Sequence, residues 1–173
     1  MAFNVLNQYK FTSIPINVEL LAEQIGFTLR PFYNKELKSA FKGAILLKTK
    51  EIYIRSEFFE LEYRYEVQYR FTIAHELAHF FLHKQFYDSL SYSSLEQWCE
   101  VYSKFQSDIG RAEKQANIFA SALLIPDKYL NQDLLSSEFE IQDYYAINRL
   151  AQKYKVAYQT MEIKLAKEYH GCA

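Results

Sequence analysis

The sequence predicts an α+β fold, a small twisted β-sheet with a β-hairpin packed against a central helix and followed by a helical C-terminal part. Three observations predict it. Ile45 and Leu47, then Ile52 and Ile54, alternate on either side of Thr49-Lys50 as the two arms of a hairpin do. A segment from about Glu66 to Lys84 carries apolar residues on nearly every face, the pattern of a helix enclosed by its neighbours. Beyond Arg55 the chain is helical in character to the end.

The elements follow in order. Val18, Leu21, Ala22 and Ile25 recur at helical spacing between Asn17, a side chain suited to capping a helix start, and Gly26, suited to ending one. Strands are expected over 27–32, 41–48 and 51–55. Residues 85–110 lack clean periodicity, although 95–105 suits a helix. A strong helical pattern over 111–124 is stopped by Pro126, and further helices are expected near 127–135, 142–154 and 158–169. Residues 1–135 are expected to form the core and 136–173 a helical, helix-turn-helix-like extension of the same domain.

A chain of 173 residues, half of them hydrophobic, is one domain's worth and can bury a sizeable core. Lys and Arg number 20 against 21 Asp and Glu, so the net charge of −1 lacks the footprint of a general nucleic-acid coat protein. No stretch approaches the length and apolarity of a membrane span. Two cysteines, Cys99 and Cys172, are too few to staple a fold, so a reducing, cytoplasmic compartment is the expectation.

The central helix contains His75-Glu76-Leu77-Ala78-His79. Histidines four residues apart lie on one helical face, one turn apart, and can reach a single metal ion. Glu76 is offset from that face and can lean toward a water at the ion's open position, as a general base does. Zinc suits this chemistry, because it lowers the pKa of such a water toward about 7, and peptide hydrolysis is the natural outcome. Two hydrogen-bonded core histidines would give the same spacing, so the pattern alone leaves that alternative open.

His83 extends the stripe by another turn. Eight residues of helix rise about 12 Å, whereas ligands sit about 2 Å from a zinc ion, so His75 and His83 cannot share one. His83 is therefore read as a supporting or helix-end residue. Six residues past His79 stands Gln85, not a third histidine, and position 82 is Leu82, not glycine. A carboxylate third ligand is the better expectation. Glu113 is the best candidate, because it opens a helix whose Ala116 and Ala120 permit close approach to the His75/His79 helix. Asn117, one turn on, is placed to orient a liganding side chain. An ordinary solvated acid beside Arg111 and Lys114 is the other reading of Glu113.

Arg70-Phe71-Thr72-Ile73-Ala74-His75-Glu76-Leu77-Ala78-His79, with His83 following, and then Glu113-Lys114-Gln115-Ala116-Asn117-Ile118-Phe119-Ala120-Ser121-Ala122-Leu123-Leu124-Ile125-Pro126 form two blocks in fixed order. Together they resemble the ImmA/IrrE-type metallopeptidases, from the first helix to about Pro126. The resemblance implies a zincin-like, gluzincin-like site in which His75, His79 and Glu113 bind Zn2+ and Glu76 is the catalytic base. It also implies a cytoplasmic peptidase, often tied to mobile elements or stress responses, whose protein substrate is a helix-turn-helix repressor. The chain departs from the family at Ala78, often Gly, at Gln115, often an acid, and over 85–110, which does not align.

A rival reading rests on 150–161, which resembles a helix-turn-helix with Ala151 and Val156 as core positions. Over 144–169, Arg149, Lys153, Lys155, Lys164 and Lys167 stand against Glu162 and Glu168, only a mildly basic balance. The turn has Lys155 where a glycine is common, and no dimerisation heptad follows. Direct nucleic-acid binding is therefore the weaker expectation, beside a non-proteolytic regulator that binds a repressor without cutting it. Tyr87, Tyr92, Tyr102 and Arg70 are the candidates for a donor to the reaction's oxyanion.

Overall fold

The computed structural model describes residues 1–33, 41–59, 63–90, 92–104, 106–135 and 143–170. Among them are eight α-helices and one mixed three-stranded sheet. In chain order these are α1 (Ala2–Gln8), α2 (Val18–Ile25), β1 (Thr28–Phe32), β2 (Gly43–Leu46), β3 (Glu51–Arg55), α3 (Tyr63–Ser89), α4 (Leu95–Lys104), α5 (Gln106–Leu124), α6 (Asp127–Leu135), α7 (Tyr144–Tyr154) and α8 (Tyr158–His170). A 3-10 turn over Ser56–Phe59 follows β3. The expected boundary at 135/136 and Cys172 fall outside the described residues.

The local signals act as expected in α2. Asn17 Oδ1 accepts from Leu20 N at 3.0 Å, and Gly26 closes the helix at φ 92°, a left-handed conformation that costs glycine nothing. The helix α1 is not signalled in the sequence. It is a single short amphipathic turn pair whose Ala2, Val5 and Leu6 are buried against the rest of the fold.

The sheet has the order β1-β3-β2, with β1 parallel and β2 antiparallel to β3. Ile52 and Ile54 alternate onto the buried face of β3, and Ile45 pairs with Ile52. All four residues of β2 are buried, and β2 and β3 both pack on α3. Pro31, which cannot donate to a ladder, lies in the edge strand β1.

Helix α3 is longer than its expected span of 66–84, because its C-terminal turns, carrying Phe86 and the buried Tyr87, still find apolar partners. It is broken at His83, where φ is −125° and ψ 16°. Its main partner is α5. Ala74 and Ala78 on α3, and Ala116 and Ala120 on α5, are all fully buried, so small side chains let the two helices approach closely, as read from the sequence. Helix α5 begins five residues earlier than expected, at Gln106.

The C-terminal helices are tied to this core. Arg70 on α3 donates to Ile16 O at 2.9 Å and to Lys155 O at 3.2 Å. Lys155, between α7 and α8, has φ 52° and ψ 54°, a conformation that usually favours glycine. Its ammonium group contacts Glu66 at 2.6 Å, so the strained turn is held from both its carbonyl and its side chain. Lys153 pairs with Asp133, Lys164 with Asp127, and Tyr154 donates to Asp133 at 2.9 Å.

Candidate active site

A cavity of about 270 Å³ opens where the start of the hairpin, α3, α4 and α5 meet. Helix α3 contributes Phe71, Thr72, His75, Glu76 and His79, and α5 contributes Glu113 and Asn117. Phe41, Lys42 and Gly43 line the side of the sheet. The opposite wall comes from Trp98 and Tyr102 of α4, within the segment that could not be aligned. Phe41, Trp98 and Tyr102 form an aromatic cluster, with ring centroids 4.5 to 4.9 Å apart in edge and stacked arrangements.

At the cavity floor His75, His79 and Glu113 converge, each offering one atom within 4.8 Å of the others. His75 Nε2 lies 3.1 Å from His79 Nε2 and 3.0 Å from Glu113 Oε2, and His79 Nε2 lies 3.3 Å from Glu113 Oε1. Tetrahedral ligands with zinc bonds of about 2.0–2.1 Å are themselves about 3.3 Å apart. Taken to the nearer carboxylate oxygen in each case, the three side chains stand at about the separations one such ion requires, and the set of two imidazoles and one carboxylate fits a metal.

The other imidazole nitrogens are engaged in a way that turns Nε2 inward. His75 Nδ1 donates to Asn117 Oδ1 at 2.9 Å, the contact expected of Asn117. His79 Nδ1 faces His83 Nδ1 at 3.2 Å, and His83 Nε2 donates to Gln115 Oε1 at 2.9 Å. Since Gln115 Oε1 only accepts, His83 Nδ1 is left as acceptor and His79 Nδ1 as donor. Both inner nitrogens are thereby free of protons in the neutral rings. His83 is not part of the convergent trio, in agreement with the helical-rise argument.

The electrostatics separate the four groups. Burial pushes the Glu113 carboxyl upward, but the His75 and His79 imidazoles beside it outweigh burial and hold it at about 2. His79, only 2% exposed at its side chain, is lowered because burial wins over Glu113. His75, 14% exposed, is raised because Glu113 and the charge of Glu76 overcome burial. Glu76 is 5% exposed, and burial pushes its carboxyl up to about 8 against the opposing pull of His75. A carboxylate tuned near neutrality suits proton transfer in either direction.

Glu76 rests against Gly43. A Cβ on Gly43 would stand 2.5 Å from Thr72 Cγ2 and 2.8 Å from Glu76 Oε1, so only glycine lets β2 come this close to α3. Sequence reasoning missed Gly43, Thr72 and the aromatic wall. The one trace was a lone glycine among four in the chain, at the head of a strand.

Of the four candidate oxyanion donors the structure brings one to the cavity. Arg70 is spent on two backbone carbonyls. Tyr87 and Tyr92 are 3% and 4% exposed, and Tyr92 donates to Ile45 O at 3.4 Å. Tyr102 lines the cavity and hydrogen-bonds Glu113, with burial raising its hydroxyl to about 12.

The profile of the IrrE N-terminal-like domain, peptidase family M78, matches residues 59–166, well over half of the chain and all four site residues. The chain belongs to the ImmA/IrrE family of metallopeptidases. Metallopeptidase ImmA of Bacillus subtilis (strain 168) is 36% identical over 93 residues, covering 51% of this chain and 48% of that protein. The present member thus spans about half the length of the curated relative it matches. A Mycobacterium tuberculosis transcriptional regulator has a similar fold, with a TM-score of 0.56 at 17% identity, over 92% of this chain and 43% of that one. Within the family, this chain's His75-His79-Glu113 cluster is a site able to bind a metal. Among the described residues no helix is long and apolar enough to cross a membrane.

Proposed function

We propose that the chain is a zinc-dependent endopeptidase of zincin-like build, acting in the cytoplasm on a protein substrate of the helix-turn-helix repressor class and so relieving repression. One observation carries this reading. The three ligand side chains approach one another to 3.0 to 3.3 Å, with Glu76 beside them in the same cavity. A purely structural zinc site takes four protein ligands and no base. Two imidazoles and one carboxylate suit zinc, and leave a coordination position for water or substrate.

His75, His79 and Glu113 hold the ion, which when bound supplies a Lewis acid that acidifies water and polarises a carbonyl. Glu76 takes a proton from the attacking water as its oxygen bonds to the scissile carbonyl carbon. The carbonyl oxygen gains negative charge, and the Tyr102 hydroxyl turns from Glu113 to donate to it. Glu76 then delivers its proton to the amide nitrogen as the C–N bond breaks, which restores the base and releases an acid and an amine. The substrate is held extended along the edge of β2 near Gly43, since Ile45 O farther along is already engaged by Tyr92.

DNA binding has less support. The α7–turn–α8 unit bends at Lys155 as a helix-turn-helix does, but Lys153, Lys155 and Lys164 are each paired with a carboxylate of the core. Cations committed to protein acids release no counterions from a phosphate backbone. The side chains of Lys167 and Glu168 lie outside the described residues.

The test joins metal content with cleavage. Elemental analysis of protein purified without added metal or chelator should find about one zinc per chain, much reduced in His79→Ala and Glu113→Ala. The wild type should cut a helix-turn-helix repressor from its own genome, and Glu76→Gln should keep the zinc and cut nothing. Undiminished cleavage by Glu76→Gln would remove the mechanism.

A further inference from the structure

An apolar groove of about 330 Å³ lies between α5 and α8 and continues the catalytic cavity. The two share Phe71 and Asn117, and Asn117 is the residue that receives His75 Nδ1–H. Ile118 and Ile163 flank the groove, and each is more than half exposed, at 57% and 56%. Ala122 adds to its apolar lining, and Ser121 and Thr160 bring small neutral hydroxyls. The lining holds no carboxylate, and its Lys164 is turned to Asp127. Two large aliphatic side chains exposed on one groove that adjoins the metal cavity mark a surface suited to being covered.

We infer that this groove is a specificity subsite that takes one aliphatic or aromatic side chain of the substrate, within three residues of the scissile bond. The inference rests on the peptidase reading. An extended chain advances about 3.3 Å per residue, so a segment passing over His75 reaches the Phe71–Asn117 boundary within a few residues. Its side chains alternate in direction, and one of them is then delivered into the gap between the helices. A charged side chain there loses its water with no partner in exchange, because Lys164 is already neutralised. An apolar one covers Ile118 and Ile163 and gains their burial.

Two measurements test it. Cleavage sites in a proteome-derived peptide library are read by mass spectrometry for wild type, Ile118→Glu and Ile163→Glu, substitutions at exposed positions that leave the core intact. Wild type should favour Leu, Ile, Phe or Met over Asp at one position near the cut, and both variants should lose about tenfold or more of that preference while keeping their metal. An unchanged preference in both variants overturns the inference.

The second measurement does not need catalysis. In the Glu76→Gln chain, 13C-methyl signals of Ile118 and Ile163 are followed as synthetic peptide pools with Leu or Asp at each position are added. Shifts with the Leu pools and not the Asp pools uphold the groove even if no peptide is ever cut, an outcome that would count against the peptidase reading alone. Absence of shifts with every pool overturns the inference. Methyl shifts that follow only the protein's own concentration also overturn it, and assign the groove to a second copy.

Discussion

His79 and His83 meet Nδ1 to Nδ1 at 3.2 Å, one turn apart on α3, at the point where the helix is broken. The break lets the His83 ring face back along the helix while its Nε2 reaches Gln115 on α5 at 2.9 Å. A relay from Gln115 through His83 sets which nitrogen of His79 carries the proton, and so presents Nε2 to the metal position. Supporting contacts of this kind are worth about 10- to 100-fold in metal affinity. His83→Ala should weaken zinc binding by that order, measured by competition with a chromophoric chelator, and Gln115→Glu should at least preserve it. An unchanged affinity in His83→Ala would reduce the relay to packing.

Gly43→Ala should damage stability and activity together. The added Cβ overlaps Thr72 Cγ2 and Glu76 Oε1, and forced overpacking costs about 1–3 kcal/mol. Thermal melts and kcat read the two effects. Thr72→Ser in the same chain removes the nearer clashing atom and should recover part of both.

At saturating zinc, since the change also removes a hydrogen bond to Glu113, Tyr102→Phe should lower kcat by about a hundredfold with KM little altered, because a donor to developing charge acts mainly at the transition state. The same change at Tyr92, whose hydroxyl is held by Ile45 O, should leave kcat nearly alone. Equal losses in the two variants would remove Tyr102 from the reaction.

Stripping the metal with a chelator should lower the melting temperature by several degrees without unfolding the chain. Ligand binding to the native state stabilises by a few kcal/mol at saturating concentration. The buried apolar core of α2, α3, α5 and the sheet contains none of the three ligands, unlike a zinc finger, whose fold depends on its metal. Circular dichroism before and after chelation measures this.

Cys99 should behave as an inert thiol at neutral pH. Burial, helped by Glu96, pushes it up to about 11. The thiolate is the reactive form, so alkylation by iodoacetamide should be slow at pH 7 and rise about tenfold per pH unit toward 10. Fast labelling at pH 7 would contradict this environment.

The legible part of the site was the part made within one helix. The i, i+4 spacing of His75 and His79 places both rings on one face by backbone geometry alone, and the same rise excluded His83 as a ligand. The cap at Asn17, the stop at Gly26 and the hairpin about Thr49-Lys50 were legible for the same reason, since each is local. Glu113 and Asn117 could be nominated from small residues beside them, but only the packing of α5 on α3 brought Glu113 Oε2 to 3.0 Å from His75. The helix α1 and the early start of α5 were not legible, because short or weakly periodic segments are stabilised by tertiary burial more than by propensity.

The sequence by itself determined the histidine pair on one helical face, the glutamate between them and the family, because those reside in spacing along a helix and in the order of two blocks. Only the tertiary structure decided which of four oxyanion candidates faces the cavity, why Gly43 must lack a side chain, and that the lysines of the C-terminal turn are bound to core acids. The physical reason is distance. Helical geometry carries positional information over one or two turns, whereas burial, charge pairing and the raised carboxyl of Glu76 depend on groups from β2, α4 and α5 that meet α3 only when the chain has packed.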